Sequence, residues 1–208
     1  IREILESIDE NTISFAGGLP SENLFPKEDL KTAAVKIFDN PKAFQYGLSN
    51  GIPELREKIA SRYTKEGFPT AKENILITTG SQQAMYILAK FYESKDITIE
   101  EPSYLGAMNI FRLNHLKMHG IKLEKDGINI IDFKESFKNT KLTYLIPDFQ
   151  NPSATTYCDE KRKEIAKIVS EENGILIEDS PYSELFFDKK NISISSKIPK
   201  NSFHLGSF

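Results

Sequence analysis

The sequence is poor in cysteine, in net charge and in long apolar runs. Its one cysteine, Cys158, cannot form an internal disulfide and suits a reducing compartment. The net charge of −3 provides no basic field that would attract nucleic acid or an anionic membrane. No apolar run reaches the roughly 18 residues of a membrane span, and residues 1–10, IREILESIDE, are too charged for a signal peptide. We therefore expect a cytoplasmic protein with neither nucleic-acid nor membrane partners.

Helix and strand signals alternate over most of the chain. Residues 52–68, for example, place Leu55, Ile59 and Tyr63 one helical turn apart. This alternation predicts βαβ crossovers and a mainly parallel sheet. Strands are predicted at 74–80, 96–104, 119–125, 141–147, 174–179 and 202–208, and further helices at 27–38, from Ser81, at 103–113, 130–138 and 159–172.

The first 45 residues differ from the rest of the chain. The stretch SFAGGLPSENLFP is rich in turn-forming residues, and helical spacing is confined to residues 1–9 and 27–38. We therefore predict that residues 1–45 form an N-terminal arm and part of a small domain, and that residues 46–208 form a large α/β domain.

Small, polar and aromatic residues follow the predicted strands. Ligands of open parallel sheets bind beyond the carboxyl ends of the strands, so these residues are candidates for one site. Such a set could hold a flat, phosphorylated ligand that forms hydrogen bonds. The candidates are Gly80, Ser81, Tyr104, Asn151, Asp179, Tyr182 and Ser207.

Four of these candidates also have an ordinary structural interpretation. In TTGSQQA, Gly80 permits a tight turn and Ser81 opens a helix whose amides could bind phosphate, but a Gly-Ser pair often only caps a helix. Tyr104 could stack on a ring or belong to the core. Asn151 is held extended before Pro152 and could face a ligand or cap its own loop. A cis peptide bond is plausible before this proline and before Pro102.

The stretch GILIEDSPY, residues 174–182, contains a carboxylate that needs a partner. A strand that looks fully buried ends in Glu178 and Asp179, followed by Tyr182. Burying an ionised carboxylate without a partner costs several kcal/mol, yet no lysine or arginine follows until Lys189. A cation must therefore be supplied from elsewhere for this carboxylate pair, in which Glu178 is given no role and is assigned a surface or supporting position.

Taken together, the motifs resemble a known family. FAGGLP, QYG, TTGSQQA, EPSY, QNPS, EDSPY and GSF, in this order, are similar to the fold type I aminotransferases that use pyridoxal 5'-phosphate (PLP), specifically class I/II with the aminoadipate and kynurenine aminotransferases. The resemblance implies a three-layer αβα large domain at 46–208, amino acid and 2-oxo acid substrates, and a homodimer with shared active sites.

The resemblance also implies roles for individual residues. Asp179 would pair with the protonated pyridine nitrogen of PLP, Tyr182 and Asn151 would bind its phenolic oxygen, and Tyr104 would stack on its ring. The phosphate ligands would be Gly80, Ser81, Gln82 and Ser207, with Tyr46 from a second subunit.

Three residues are implied to contact the substrate. Gly18 would leave room near its carboxylate, and Asn151 would lie beside it. Arg2 resembles an arginine that meets an acidic substrate side chain, although an arginine on a charged helix is usually solvated.

The sequence departs from the family pattern at two places. The lysine that forms the Schiff base would fall just beyond Phe208, so we expect an N-terminal portion of a longer enzyme. Ala154 replaces a glycine that many relatives carry. Another PLP reaction, such as C–S lysis or decarboxylation, and the effector domain of a GntR/MocR-type regulator remain open. No metal site is predicted, because His115 and His119 are read as a surface pair.

Overall fold

The computed structural model describes residues 9, 11–13, 20–93 and 95–207. The chain divides into two compact units, residues 1–47 and 48–208. In the first unit, helix α1 spans Lys27–Phe38 and is flanked by 3-10 turns at Glu22–Leu24 and Pro41–Phe44. The assignment of residues 1–45 to an arm and a small domain stays a prediction.

The second unit contains a six-stranded sheet. Its spatial order is β3-β2-β1-β4-β5-β6, and every neighbouring pair is parallel except β2 and β3. The prediction of a mainly parallel sheet is therefore confirmed. The strands are β1 (Asp96–Glu101), β2 (Lys117–Glu124), β3 (Gly127–Ile128), β4 (Leu142–Leu145), β5 (Ile175–Asp179) and β6 (Ser202–Leu205).

Helices cover both faces of this sheet, which confirms the three-layer architecture. One apolar cluster joins α3 and α4 to the sheet around Phe111 and Tyr144, and a second joins α5 and α6 to the opposite face around Phe137 and Ile165. We call these the α3/α4 face and the α5/α6 face. The helices are α2 (Pro53–Lys65), α3 (Gly80–Phe91), α4 (Leu105–Leu113), α5 (Ile130–Thr140) and α6 (Asp159–Glu171), with 3-10 turns at Lys72–Asn74 and Ser195–Lys197.

Strand alternation decides which face each strand-end residue meets. In β5, Ile177 packs in the cluster of the α3/α4 face, whereas Leu176 packs in that of the α5/α6 face. Because side chains alternate along a strand, Asp179 shares a face with Ile177 and Glu178 shares one with Leu176. The adjacent carboxylates of the Glu178-Asp179 pair therefore point to opposite sides of the sheet.

Several local predictions are corrected. Residues 74–80 form no strand: Ile77 N–H donates to Asn50 O at 3.1 Å, and no sheet ladder reaches this segment within the described residues. Apolar composition favours a strand, but a strand also needs a paired neighbour. Helix α6, predicted at 159–172, begins at Asp159 as expected and ends at Glu171. None of the described helices combines the length and the apolarity that crossing a membrane requires.

The histidine pair is also divided by the fold. His115 follows α4 with a positive φ of 60°, whereas His119 lies in β2 with its Nε2 2.8 Å from Asp96 Oδ2. Within the described ranges, no group of three or more histidine, cysteine and acidic side chains is arranged to hold a metal ion.

Candidate active site

Asp179 is buried with one carboxylate oxygen unpartnered. The residue is only 2% exposed, and its Oδ2 accepts a hydrogen bond of 2.6 Å from the Tyr144 hydroxyl. Its Oδ1 has no hydrogen-bond partner among the described residues. Burial raises the pKa of Asp179 to about 6, against the lowering effects of the Tyr144 hydrogen bond and of His204. Buried polar atoms are normally satisfied, so Oδ1 indicates a missing donor.

Tyr144 orients this carboxylate and was missed by the sequence analysis. It lies in β4, in register with Ile177 of β5, and its side chain is fully buried. Burial, together with the nearby Asp179 charge, raises the pKa of the Tyr144 phenol well above its usual value, so the hydroxyl stays a donor. Tyr144 stands in an apolar strand, two residues before Ile146, and such a position predicts only an aromatic residue of the core.

Asn151 and Tyr182 are brought together from different loops. Asn151 Nδ2 lies 3.4 Å from the Tyr182 hydroxyl, a long hydrogen bond between two partly buried side chains. The bonds preceding Pro152 and Pro102 are both cis, as the sequence allowed. Asn151 and Tyr182 can therefore present their polar groups to the same ligand atom.

A second pair forms at the start of α4. Gln82 Nε2 lies 3.4 Å from the Tyr104 hydroxyl, which connects the first turn of α3 to the residue that precedes α4. Gly106 makes room for this ring, because a Cβ there would lie 2.6 Å from Tyr104 Cζ. The predicted ring-stacking residue and one predicted phosphate ligand are thus neighbours.

Two predicted phosphate ligands, Ser81 and Ser207, border one cleft together with Gly80. Gly80 opens α3 with a φ of +74°, and the first amides of a helix lack intrahelical partners. A cleft of about 470 Å³ is bordered by Gly80, Ser81, Ser180 and Ser207, among other residues. The buried Ser180 hydroxyl has no hydrogen-bond partner among the described residues. Helix amides, serine hydroxyls and space suit an anion at this position.

The loop that carries Asn151 is fastened by a buried ion pair that the sequence analysis did not identify. Arg162 of α6 donates to Asp148 Oδ1 at 2.6 Å, to Pro147 O at 2.7 Å and to Tyr157 O at 2.9 Å.

Ala154 in this loop has a φ of +59°, the left-handed region that favours the glycine expected there.

Glu178 is not at the surface, so the first of the two positions assigned to it is wrong. It is fully buried on the α5/α6 face, where it accepts the Ile194 and Ser195 N–H groups at 3.0 and 2.7 Å. Burial acts to raise its pKa, but the nearby His204 and the Ser195 N–H outweigh this effect and lower the pKa overall. Strand alternation, applied to the Glu178-Asp179 pair, could have separated the two roles.

Three predicted site residues are not placed with the others. Tyr46 belongs to the first unit, and its side chain is fully exposed. Gly18 and Arg2 lie outside the described residues, as does Phe208. Their roles stay predictions.

The fold agrees with comparisons against known proteins. The family aminotransferase class I and II matches residues 11–205, so the chain belongs to that family. The 2-aminoadipate transaminase of Thermus thermophilus is 33% identical over 220 residues, which covers 100% of this chain and 54% of the relative. The aromatic-amino-acid aminotransferase 1 of Thermococcus litoralis is 32% identical over 199 residues, or 89% of this chain and 48% of the relative.

Solved structures give the same result. The crystal structure of Pyrococcus horikoshii kynurenine aminotransferase, in complex with PMP, superposes with a TM-score of 0.89 at 31% identity, covering 100% of this chain and 55% of that one. The Thermus thermophilus α-aminoadipate aminotransferase LysN, complexed with N-(5'-phosphopyridoxyl)-L-leucine, gives 0.88 at 33% identity, with 100% and 54% coverage. This chain therefore spans about half the length of the relatives it matches.

The described residues fit pyridoxal phosphate. The unpartnered Asp179 Oδ1 suits a protonated pyridine nitrogen, and the cleft at the start of α3 suits the phosphate group. Asn151 and Tyr182, which follow β4 and β5, hold their polar groups 3.4 Å apart.

Proposed function

We propose that the protein containing this chain is a PLP-dependent aminotransferase that moves an amino group between an amino acid and a 2-oxo acid. The observation that carries the proposal is Asp179 Oδ1, a buried carboxylate oxygen without a donor among the residues that the structure describes, in a chain of the aminotransferase family. When bound, the cofactor supplies an electron-withdrawing ring that weakens the bonds at the substrate α-carbon.

In this proposal Asp179 holds a proton on the pyridine nitrogen. It must be ionised to do so, and its pKa in the cofactor-free chain is about 6, so PLP binding should weaken as the pH falls through that value. Tyr144 keeps Oδ2 occupied and leaves Oδ1 for the cofactor. Tyr104 would support the ring face, and Asn151 with Tyr182 would bind the phenolic oxygen.

The remaining ligands complete the proposed site. Gly80, Ser81, Gln82 and Ser207 would bind the phosphate group. Tyr46 would join them from a second copy of the chain in a homodimer, a proposal to which its fully exposed side chain is suited. Gly18, Asn151 and Arg2 would meet the substrate. A cytoplasmic location is proposed from the single cysteine alone.

A second candidate function is regulation. The HTH-type transcriptional regulator NorG of Staphylococcus aureus is 30% identical over 210 residues, which covers 96% of this chain and 47% of the regulator. In that case, the domain would bind PLP as an effector or sensor module without turning over substrate.

One experiment separates these functions. The full-length protein is loaded with PLP and mixed with single amino acids, and the conversion of its absorbance is followed before and after 2-oxoglutarate is added. The proposed aminotransferase converts with at least one donor and recovers with the 2-oxo acid. A protein that binds PLP but converts with none of the proteinogenic amino acids or with aminoadipate contradicts aminotransfer and favours regulation.

A further inference from the structure

Glu100 is a third buried carboxylate near a strand end, besides Asp179 and Glu178, and the proposed function does not use it. It lies in β1 and is fully buried on the α5/α6 face. Its Oε1 accepts the Ile146 N–H at 2.9 Å and the Tyr157 hydroxyl at 2.7 Å, and its Oε2 accepts the Gln150 amide at 2.9 Å. Three donors thus converge on one carboxylate.

Gln150 extends this contact to a second segment. Its Nε2 also donates to Pro102 O at 2.9 Å, and its Oε1 accepts the N–H and the hydroxyl of Ser153 at 2.9 and 2.6 Å. The two amide hydrogens and the amide oxygen are therefore all engaged. The side chain is only 1% exposed, so it cannot exchange these partners for bulk water.

The hydrogen bond between Glu100 and Gln150, called the link below, connects the two segments that carry proposed ring ligands. Tyr104 stands two residues after Pro102, and Asn151 directly follows Gln150. Gln150 thus connects both segments to Glu100, whose side chain lies on the α5/α6 face, opposite to the face of Asp179. Small displacements of groups that contact a reacting ligand are costly, so a fixed distance between these segments has a functional value.

We propose that Glu100 is a positioning residue that sets, through Gln150, the relative placement of Tyr104 and Asn151. The identity of the ligand held between them rests on the proposed function. The placement itself rests on the hydrogen bonds.

The chemistry of the link requires an acceptor-only group at position 100. The pKa of Glu100 is raised to about 7, mainly by burial and to a smaller extent by the Asp179 charge. The hydrogen bonds from Gln150, Tyr157 and Ile146 act in the opposite direction and only partly offset this rise. A carboxylate can serve all three donors at once. The amide of a glutamine at this position presents a hydrogen to at least one of the donors, so that contact is lost.

The test uses the full-length protein with E100Q, Q150M and the double variant. Amide hydrogen exchange of the cofactor-free protein reports on the segments 101–105 and 150–156. PLP affinity and the visible circular dichroism of bound PLP report on ring placement. We expect both segments to exchange faster in each single variant, PLP to bind about tenfold more weakly, and the dichroism band to change. The double variant should be no worse than the more affected single variant, because both changes break one link.

Glu178→Gln is the matched control. It removes a buried acceptor of two backbone N–H groups on the same face without contacting either segment, so faster exchange should be confined to residues near Ile194 and Ser195. Unchanged exchange at 101–105 in folded Q150M, or strictly additive losses of PLP affinity, would overturn the proposal even if E100Q fails to fold. If the wild-type protein binds no PLP, the proposed function fails, while the exchange data still decide whether the link exists.

Discussion

The two faces of the sheet bury carboxylates in contrasting ways. On the α5/α6 face, each oxygen of Glu100 and Glu178 accepts at least one hydrogen bond from within the chain. On the α3/α4 face, Asp179 has one oxygen bonded to Tyr144 and one without a partner among the described residues. The first arrangement is complete without a ligand and stabilises loops. The second is incomplete and is the one that a cofactor would complete.

Removing the charge of Asp179 should produce the largest effect. In the full-length protein, D179N should weaken PLP binding by about 2–5 kcal/mol, because a buried charge pair loses one member. The cofactor-free protein should be no less stable than wild type at neutral pH, because burial disfavours the charged form of Asp179. Fluorescence titration and thermal unfolding measure the two quantities. Unchanged PLP affinity in D179N would show that Asp179 does not bind the cofactor and so does not differ in this respect from the carboxylates of the α5/α6 face.

The pH dependence of stability should reflect both raised carboxyl pKa values. Glu100 at about 7 and Asp179 at about 6 lie above their ordinary values of 4.5 and 3.8. Their stabilising contributions are therefore fully present below about pH 4 and are lost as the pH rises through about 6 to 7. Each amounts to at most about 3–4 kcal/mol. Denaturant unfolding of the cofactor-free protein at several pH values should show a flatter profile for D179N and for E100Q; profiles parallel to wild type would contradict the assignment.

Glu178→Gln should destabilise where D179N does not. An amide can accept only one of the two backbone N–H groups well, so we expect a loss of about 1–3 kcal/mol in the free energy of unfolding. Because the pKa of Glu178 is lowered, its stabilising contribution is lost as the pH falls through that lowered value. The stabilising contributions of Glu100 and Asp179 change with pH in the opposite direction. Urea unfolding measures the change, and stability equal to wild type would show that the α5/α6 face does not depend on its carboxylates.

The smallest effect compares two tyrosines, one on each face. Y144F and Y157F each delete a buried hydroxyl that donates to a carboxylate, at 2.6 and 2.7 Å. Each should cost about 1 kcal/mol of stability. Only Y144F should move the pH midpoint of PLP binding upward, because Asp179 loses the hydrogen bond that lowers its pKa. Equal midpoints in the two variants, measured by titration of PLP affinity against pH, would show that Tyr144 is a core residue alone.

Much of the site could be predicted because its residues stand at strand ends. Asp179, Tyr182 and Asn151 follow apolar strands, and parallel strands bring their carboxyl ends to one edge. Gly80 could also be placed in a tight turn before a helix, because glycine readily adopts the positive φ that such a turn requires. The partners of these residues could not be predicted in this way. Tyr144 meets Asp179 only because β4 pairs with β5 in one register, and Arg162 fastens a loop that precedes its own helix.

The sequence by itself determined the alternation of helices and strands, the face on which each strand-end side chain lies, and the residue types that gather beyond β1, β4 and β5. These properties depend on local spacing along the chain. The tertiary structure alone decided which carboxylates are satisfied, that residues 74–80 have no ladder within the described chain, and that Glu178 is a buried acceptor. Hydrogen-bond partners come from segments distant in sequence, and their contacts follow from strand order and register, which no local pattern encodes.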